Sequence, residues 1–151
     1  LGFTYKNIDF AANFYGTIGN DIYNKTKEMY SGTAGQNVWA GTFDKAWHGE
    51  GTSNVMPRAV YGDPNGNNRI SDRFVESGSY LRLKTISLSY DFPLQWLKSL
   101  SVESARLTFS CENVATITGY SGFDPEVGVN GIDLSSYPVS RTFNIGFNVN
   151  F

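Results

Sequence analysis

The sequence predicts an all-β fold: a segment of an antiparallel transmembrane β-barrel with long extracellular loops. Three observations predict it. Aromatic residues make up 15% of the chain and glycine supplies 16 of its 151 residues, while only 17% are charged, against about 25% in typical soluble domains. Several long stretches alternate apolar and polar side chains, and they exceed the usual strand length of about 5 to 6 residues. The connections between them run short, very long, short, long, which matches the tight periplasmic turns and extended outer loops of such barrels. A mean hydropathy of −0.29 fits, because a barrel of this kind keeps a wet inner face.

Residues 1–6, LGFTYK, place Leu1, Phe3 and Tyr5 on one face, and Lys6-Asn7 makes a tight turn. Residues 8–20 then set Ile8, Phe10, Ala12, Phe14 and Ile18 against Asp9, Ala11, Asn13 and Thr17, which is hairpin patterning. Residues 21–78 read as irregular and rich in Gly, Asn, Ser, Thr and Asp. A connection that long is expected only of a functional surface loop.

The third strand, SYLRLKTISLSYDF (79–92), puts Ile86, Leu88, Tyr90 and Phe92 on one face, with Arg82 and Lys84 on the same parity nearer its start. That pattern suits a face passing from water into hydrocarbon, and equally a strand emerging from a soluble core. Residues 93–103 form a compact turn. Residues 103–118 oppose Ala105, Leu107, Phe109, Cys111, Ala115 and Ile117 to Arg106, Thr108, Ser110, Glu112 and Thr116. A second long loop, 119–140, leads to SRTFNIGFNVNF, whose Phe143, Ile145, Phe147, Val149 and Phe151 share a face opposite Asn144, Gly146, Asn148 and Asn150.

The apolar face is expected to meet lipid through Phe143, Ile145, Phe147 and Val149. Tyr90, Phe92 and Trp96 are expected at one membrane interface, and Tyr120, Phe123 and Tyr137 at the other. Five strands cannot close a barrel, since about eight is the smallest number that does. Lipid does not tolerate open sheet edges. Residues 1–151 are therefore expected to be a portion of a larger barrel and not an independent domain.

A net charge of −2 gives no electrostatic reason for a nucleic-acid partner. The single Cys111 excludes an intrachain disulfide, and His48 as the only histidine argues against His-rich metal sites and a Ser-His-Asp triad. No run reaches the roughly 18 apolar residues of a spanning helix. The start at Leu1, without a signal peptide, suggests a mature, cleaved or partial chain. Asp63, Asn65 and Asn67 match the first ligands of a calcium loop, but Asn68 and Phe74 stand where Gly and Glu are needed. An Asx-stabilised turn is the better reading. Asp124 and Glu126, beside a proline, read as loop-shaping and not as an acid/base pair. Trp39, Trp47 and His48 are the loop residues that could touch a substrate or partner, weighed against packing within the loop. Arg106, Glu112, Asn144, Asn148 and Asn150 are expected to face a lumen.

The ordered run of SYLRLK, SLSYDFP, ENVATITGYSGFDPEV, NGID, SYP and RTFNIGFNVNF resembles the C-terminal end of the SusC/RagA family of TonB-dependent outer-membrane transporters of Bacteroidota. The resemblance covers essentially the whole chain and is weakest around residues 26–54. It implies a plugged barrel of about 22 strands, of which this chain supplies the last strands and two outer loops. It further implies import of oligosaccharides or peptides, energy from TonB through a part not present here, a SusD-like surface lipoprotein as partner, and no cofactor. Phe151 resembles the terminal aromatic that signals barrel assembly. The alternatives are a soluble β-sandwich that binds carbohydrate and a small β-rich hydrolase.

Overall fold

The computed structural model describes residues 1–32 and 37–151. In chain order the strands and helices are β1 (Gly2–Tyr5), β2 (Ile8–Thr17), β3 (Asp21–Asn24), α1 (Lys25–Ser31), α2 (Thr42–Lys45), β4 (Val75–Ser77), β5 (Tyr80–Asp91), α3 (Leu94–Leu97), β6 (Ser104–Thr118), β7 (Ile132–Asp133) and β8 (Thr142–Asn150). No helix among the described residues is long and apolar enough to cross a membrane. The chain forms two units, one of residues 1–19, 79–119 and 138–151, the other of residues 20–78 and 120–137.

The first unit is an antiparallel sheet in the order β1-β2-β5-β6-β8. Each of the five strands expected from alternation is present, trimmed by a few residues. Lys6 turns the first hairpin in the left-handed region, at φ 51°. The register sets Phe10 against Leu88, Leu88 against Phe109, and Phe109 against Ile145, so one row of apolar side chains crosses four strands. Side chains on this face lie open: Ile145 is 77% exposed and Phe147 61%. A β-sandwich would bury it beneath another sheet, and the soluble-sandwich alternative fails on that point.

One expectation is overturned here. On strict alternation, Arg82 and Lys84 share the face of Ile86 and Leu88. The ladder, however, pairs Asn13 with Thr85 and then Phe14 with Leu83, leaving Lys84 without a partner on β2. Between the same two rungs β2 runs from Ala12 to Phe14, β5 from Ile86 to Leu83, and β6 from Cys111 to Ala115. The successive strands thus advance by two, three and four positions. This is a β-bulge, which inserts a residue and reverses the facing of everything beyond it. Leu81 and Leu83 join the apolar face, while Arg82 turns to the polar face, 3% exposed, where its Nε donates to Thr116 Oγ1 at 2.9 Å. Asn113 on β6 takes the matching left-handed conformation, φ 52°, which asparagine tolerates better than most residues.

The compact turn 93–103 contains α3 and a following 3-10 turn, Lys98–Leu100. Leu97 is buried, while Leu94 and Trp96 are exposed.

The second unit corrects the reading of residues 21–78 as irregular. It holds a three-stranded sheet in the order β4-β3-β7, with β3 antiparallel to β4 and parallel to β7. Ile22 and Phe74 are fully buried, and Tyr23 meets the Phe74 ring edge-on at 6.2 Å. Asn24 caps α1, its Oδ1 accepting from the Lys27 amide at 2.7 Å.

Candidate functional site

The first unit presents two chemically opposite faces. On the polar face Arg106 donates from Nε and Nη2 to the two carboxylate oxygens of Asp91, at 2.6 Å each, and from Nη2 to Asp9 at 3.0 Å. Ser89 and Thr108 hydroxyls meet at 3.0 Å. Farther along, Tyr15 and Tyr80 pack edge-on at 5.8 Å, and the Lys84 ammonium lies 5.8 Å from the Tyr15 ring. The bulge gives Lys84 that position on the polar side. Asn144 pairs with Ser110, and Asn148 with Arg106, along the same face. The opposite face carries the stacked Phe3–Phe10 and Phe109–Phe143 pairs. It also carries an edge-on chain from Tyr90 through Phe92 to Phe147, at 5.3 and 6.1 Å.

In the second unit the two long connections are stitched together by polar groups. Glu76 accepts from the Lys27 ammonium at 2.7 Å and from the amide and hydroxyl of Ser121, both at 2.9 Å. Burial alone would raise the Glu76 carboxyl, but Lys27 and Ser121 outweigh it and hold it below the usual carboxylate range. Glu28 accepts from Lys25 at 2.7 Å and from the Tyr23 hydroxyl at 2.5 Å. Burial, reinforced by the Glu28 carboxylate, pushes the Tyr23 phenol up to about 12. Tyr120, 6% exposed, donates to buried Asp133 at 2.6 Å. Burial and that carboxylate raise its phenol well above the ordinary value. The other Asp133 oxygen accepts the Ser135 and Ser136 amides, and Thr26 meets Ser135 at 2.8 Å. A set of this kind holds shape, since each of its named charges has a hydrogen-bond partner within it.

The residues singled out in the sequence are dispersed across this unit. Trp39 stacks on Tyr30 at 6.3 Å and lines a cleft of about 740 Å³ with Lys27, Lys45, Val55 and Met56. Trp47 lies beneath the Arg58 guanidinium at 5.1 Å and borders an adjoining cleft of about 390 Å³, which shares Val55 and Met56 with the first. The His48 ring sits 2.7 Å from the Phe43 carbonyl. Both carboxylate oxygens of Asp63 accept backbone amides, from Asn67 at 2.8 Å and Asn68 at 2.9 Å; the side chain is engaged in its own turn. No group of three or more His, Cys, Asp or Glu among the described residues converges as a metal site requires. Asp124 Oδ1 accepts the Glu126 amide at 2.9 Å, binding the pair to its loop. Tyr120 does not join an interfacial girdle, because it is consumed in the loop core, whereas Phe123, Tyr137 and Phe151 are exposed.

The Glu76–Lys27–Ser121 hub escapes a sequence reading, since its members are scattered along the chain. The motif stretches ENVATITGYSGFDPEV and NGID contain Tyr120, Ser121 and Asp133, but no spacing shows that they meet.

No protein-family model matches the chain. It is similar to TonB-dependent receptor P3 of Formosa agariphila, 34% identical over 97% of the chain and 15% of that protein. It is also similar to TonB-dependent receptor P26 of the same organism, 32% identical over 98% of the chain and 16% of that protein. TonB-dependent receptor SusC of Bacteroides thetaiotaomicron is 29% identical over 97% of the chain and 14% of that protein. The chain therefore spans about one-sixth of the length of these relatives or less. Among solved structures it matches the RagAB peptide transporter with a TM-score of 0.82 at 24% identity, over 98% of this chain and 16% of that one. The RagAB peptide importer in its closed-closed state matches with the same TM-score at 25% identity. None of these relatives is named for a catalytic activity.

Proposed function

We propose that the chain is one segment of a TonB-dependent receptor of the SusC/RagA type, and that it forms the C-terminal wall of an outer-membrane importer. The observation that carries this reading is the uncovered apolar face of the five-stranded sheet, set back to back with a polar face bearing Arg106, Asp91 and Lys84. Hydrocarbon on one side and a wet, plugged lumen on the other accommodate both. The free edges of β1 and β8 call for further strands, which the rest of the receptor would supply. In this reading Phe143, Ile145, Phe147 and Val149 face lipid, and the terminal aromatic Phe151 serves barrel assembly.

The long connections would form external loops. Their union through Glu76 and Ser121 gives a folded surface suited to contact with cargo or with a SusD-like lipoprotein. Trp39, Trp47 and His48 are the candidates for those contacts. The cargo class in this reading is an oligosaccharide or a peptide. The segment has no catalytic role in this reading.

The test uses the full-length receptor in its native host. It is expected in the outer-membrane fraction, extracted only by detergent, and required for growth on its cargo. Recovery as a soluble periplasmic or cytosolic protein would refute the reading.

A further inference from the structure

At the long-connection end of the five-stranded sheet, the outer face is not flat. A groove of about 490 Å³, lined almost wholly by apolar surface, runs between Ile18, Leu81 and Ile117, floored by Gly16 and Gly119. Its size falls within the roughly 300–1,000 Å³ of small-molecule sites. Its walls stand proud of the sheet: Ile18 is 93% exposed and Ile117 is 72%. The floor is low for a backbone reason. A Cβ on Gly16 would lie 2.2 Å from the Tyr80 carbonyl oxygen, so no side chain can stand there. The bulge contributes as well, because it brings Leu81 to this face.

We propose that this groove binds an acyl chain of an outer-leaflet lipid. The inference rests on the reading above, that the face is lipid-covered. The groove is continuous with that face through Leu81 and Leu83, which align with Phe14, Ala115 and Ile117 across the ladder. Its lining holds no charged group for a peptide or sugar, and its hydroxyl-bearing residues are engaged: Thr118 donates to the Ser79 carbonyl at 2.9 Å, Ser79 Oγ accepts the Gly19 amide at 3.0 Å, and Tyr80 is buried against Tyr15. A flexible hydrocarbon fits an open, apolar channel with a glycine floor; a polar ligand would leave its groups unpaired there.

Gly119 supplies the test, since an added Cβ meets nothing within 4 Å and its φ lies outside the left-handed region. Gly119→Leu fills the groove without a backbone clash, and Gly128→Leu, likewise in open space but in the loop unit, is the control. Full-length receptor is reconstituted in nanodiscs with a phosphatidylethanolamine carrying a diazirine on its acyl chain. Adducts are then mapped by mass spectrometry after photolysis. The groove predicts several-fold more adduct at Ile18, Leu81 and Ile117 than at Ile145 and Phe147. It also predicts several-fold loss of the groove adducts in Gly119→Leu and no loss in Gly128→Leu. Uniform labelling of the outer face, or groove labelling indifferent to Gly119→Leu, overturns the groove while leaving the membrane reading intact. Absence of adducts from the whole face overturns both.

Discussion

Replacing Ile145 by arginine tests the facing of the sheet at one residue. Ile145 stands next to the centre of the nine-residue β8 and is 77% exposed on the apolar face. At about 3.4 Å per residue and a tilt of about 40°, such a strand rises about 23 Å, close to the apolar band of roughly 25 Å in barrels of this class. Ile145 therefore lies near the bilayer midplane, where an arginine costs about 2–4 kcal/mol. Each 1.4 kcal/mol is about tenfold in an equilibrium constant, so the folded population should fall by about 30-fold to 1,000-fold. Asn144 is the internal control. It is one residue away, opposite Ser110 on the polar face, where arginine keeps its water. Full-length Ile145→Arg and Asn144→Arg receptors would be unfolded by denaturant in lipid vesicles and their midpoints compared. Equal midpoints for the two would refute the assignment of faces.

Three further outcomes follow from the geometry. Tyr120→Phe leaves one oxygen of buried Asp133 without its donor, at about 1–3 kcal/mol; limited proteolysis should then cut residues 119–137 faster, with the sheet unchanged. Glu76 has its carboxyl held low in the fold, so its contribution is present above the unfolded value near 4.5 and is lost as pH falls through the lower folded one. Protection factors of the loop unit, which correct for the slower intrinsic exchange of amides at lower pH, should fall on acidification across that window, and Glu76→Gln should remove that step. Asn113 holds a left-handed backbone on β6, so Asn113→Val should destabilise by about 1–2 kcal/mol and Asn113→Gly by less; equal thermal midpoints would refute the bulge.

How much was legible in the sequence differs between the two units. The strands were legible because each exceeds the length at which alternation stands out, and because covalent geometry alone sends successive side chains to opposite faces. The facing of Arg82 and Lys84 was legible only in part: the apolar residues change parity between Leu83 and Ile86, the mark of an inserted residue, but only the pairing with the neighbouring strands shows that a bulge sits there. The elements of the loop unit are two to seven residues long, too short for periodicity to register. What holds them is contact across the sequence, such as Tyr23 beside Ile132 and Glu76 beside Ser121.

By itself, then, the sequence determined a two-faced sheet of five strands with an apolar side that water does not suit. Tertiary structure decided where the bulge sits and so which side Arg82 and Lys84 take, and that the two long connections fold as one body. The reason is physical: facing within a strand follows from local geometry, whereas ladder register and the satisfaction of buried polar groups depend on partners supplied by distant parts of the chain.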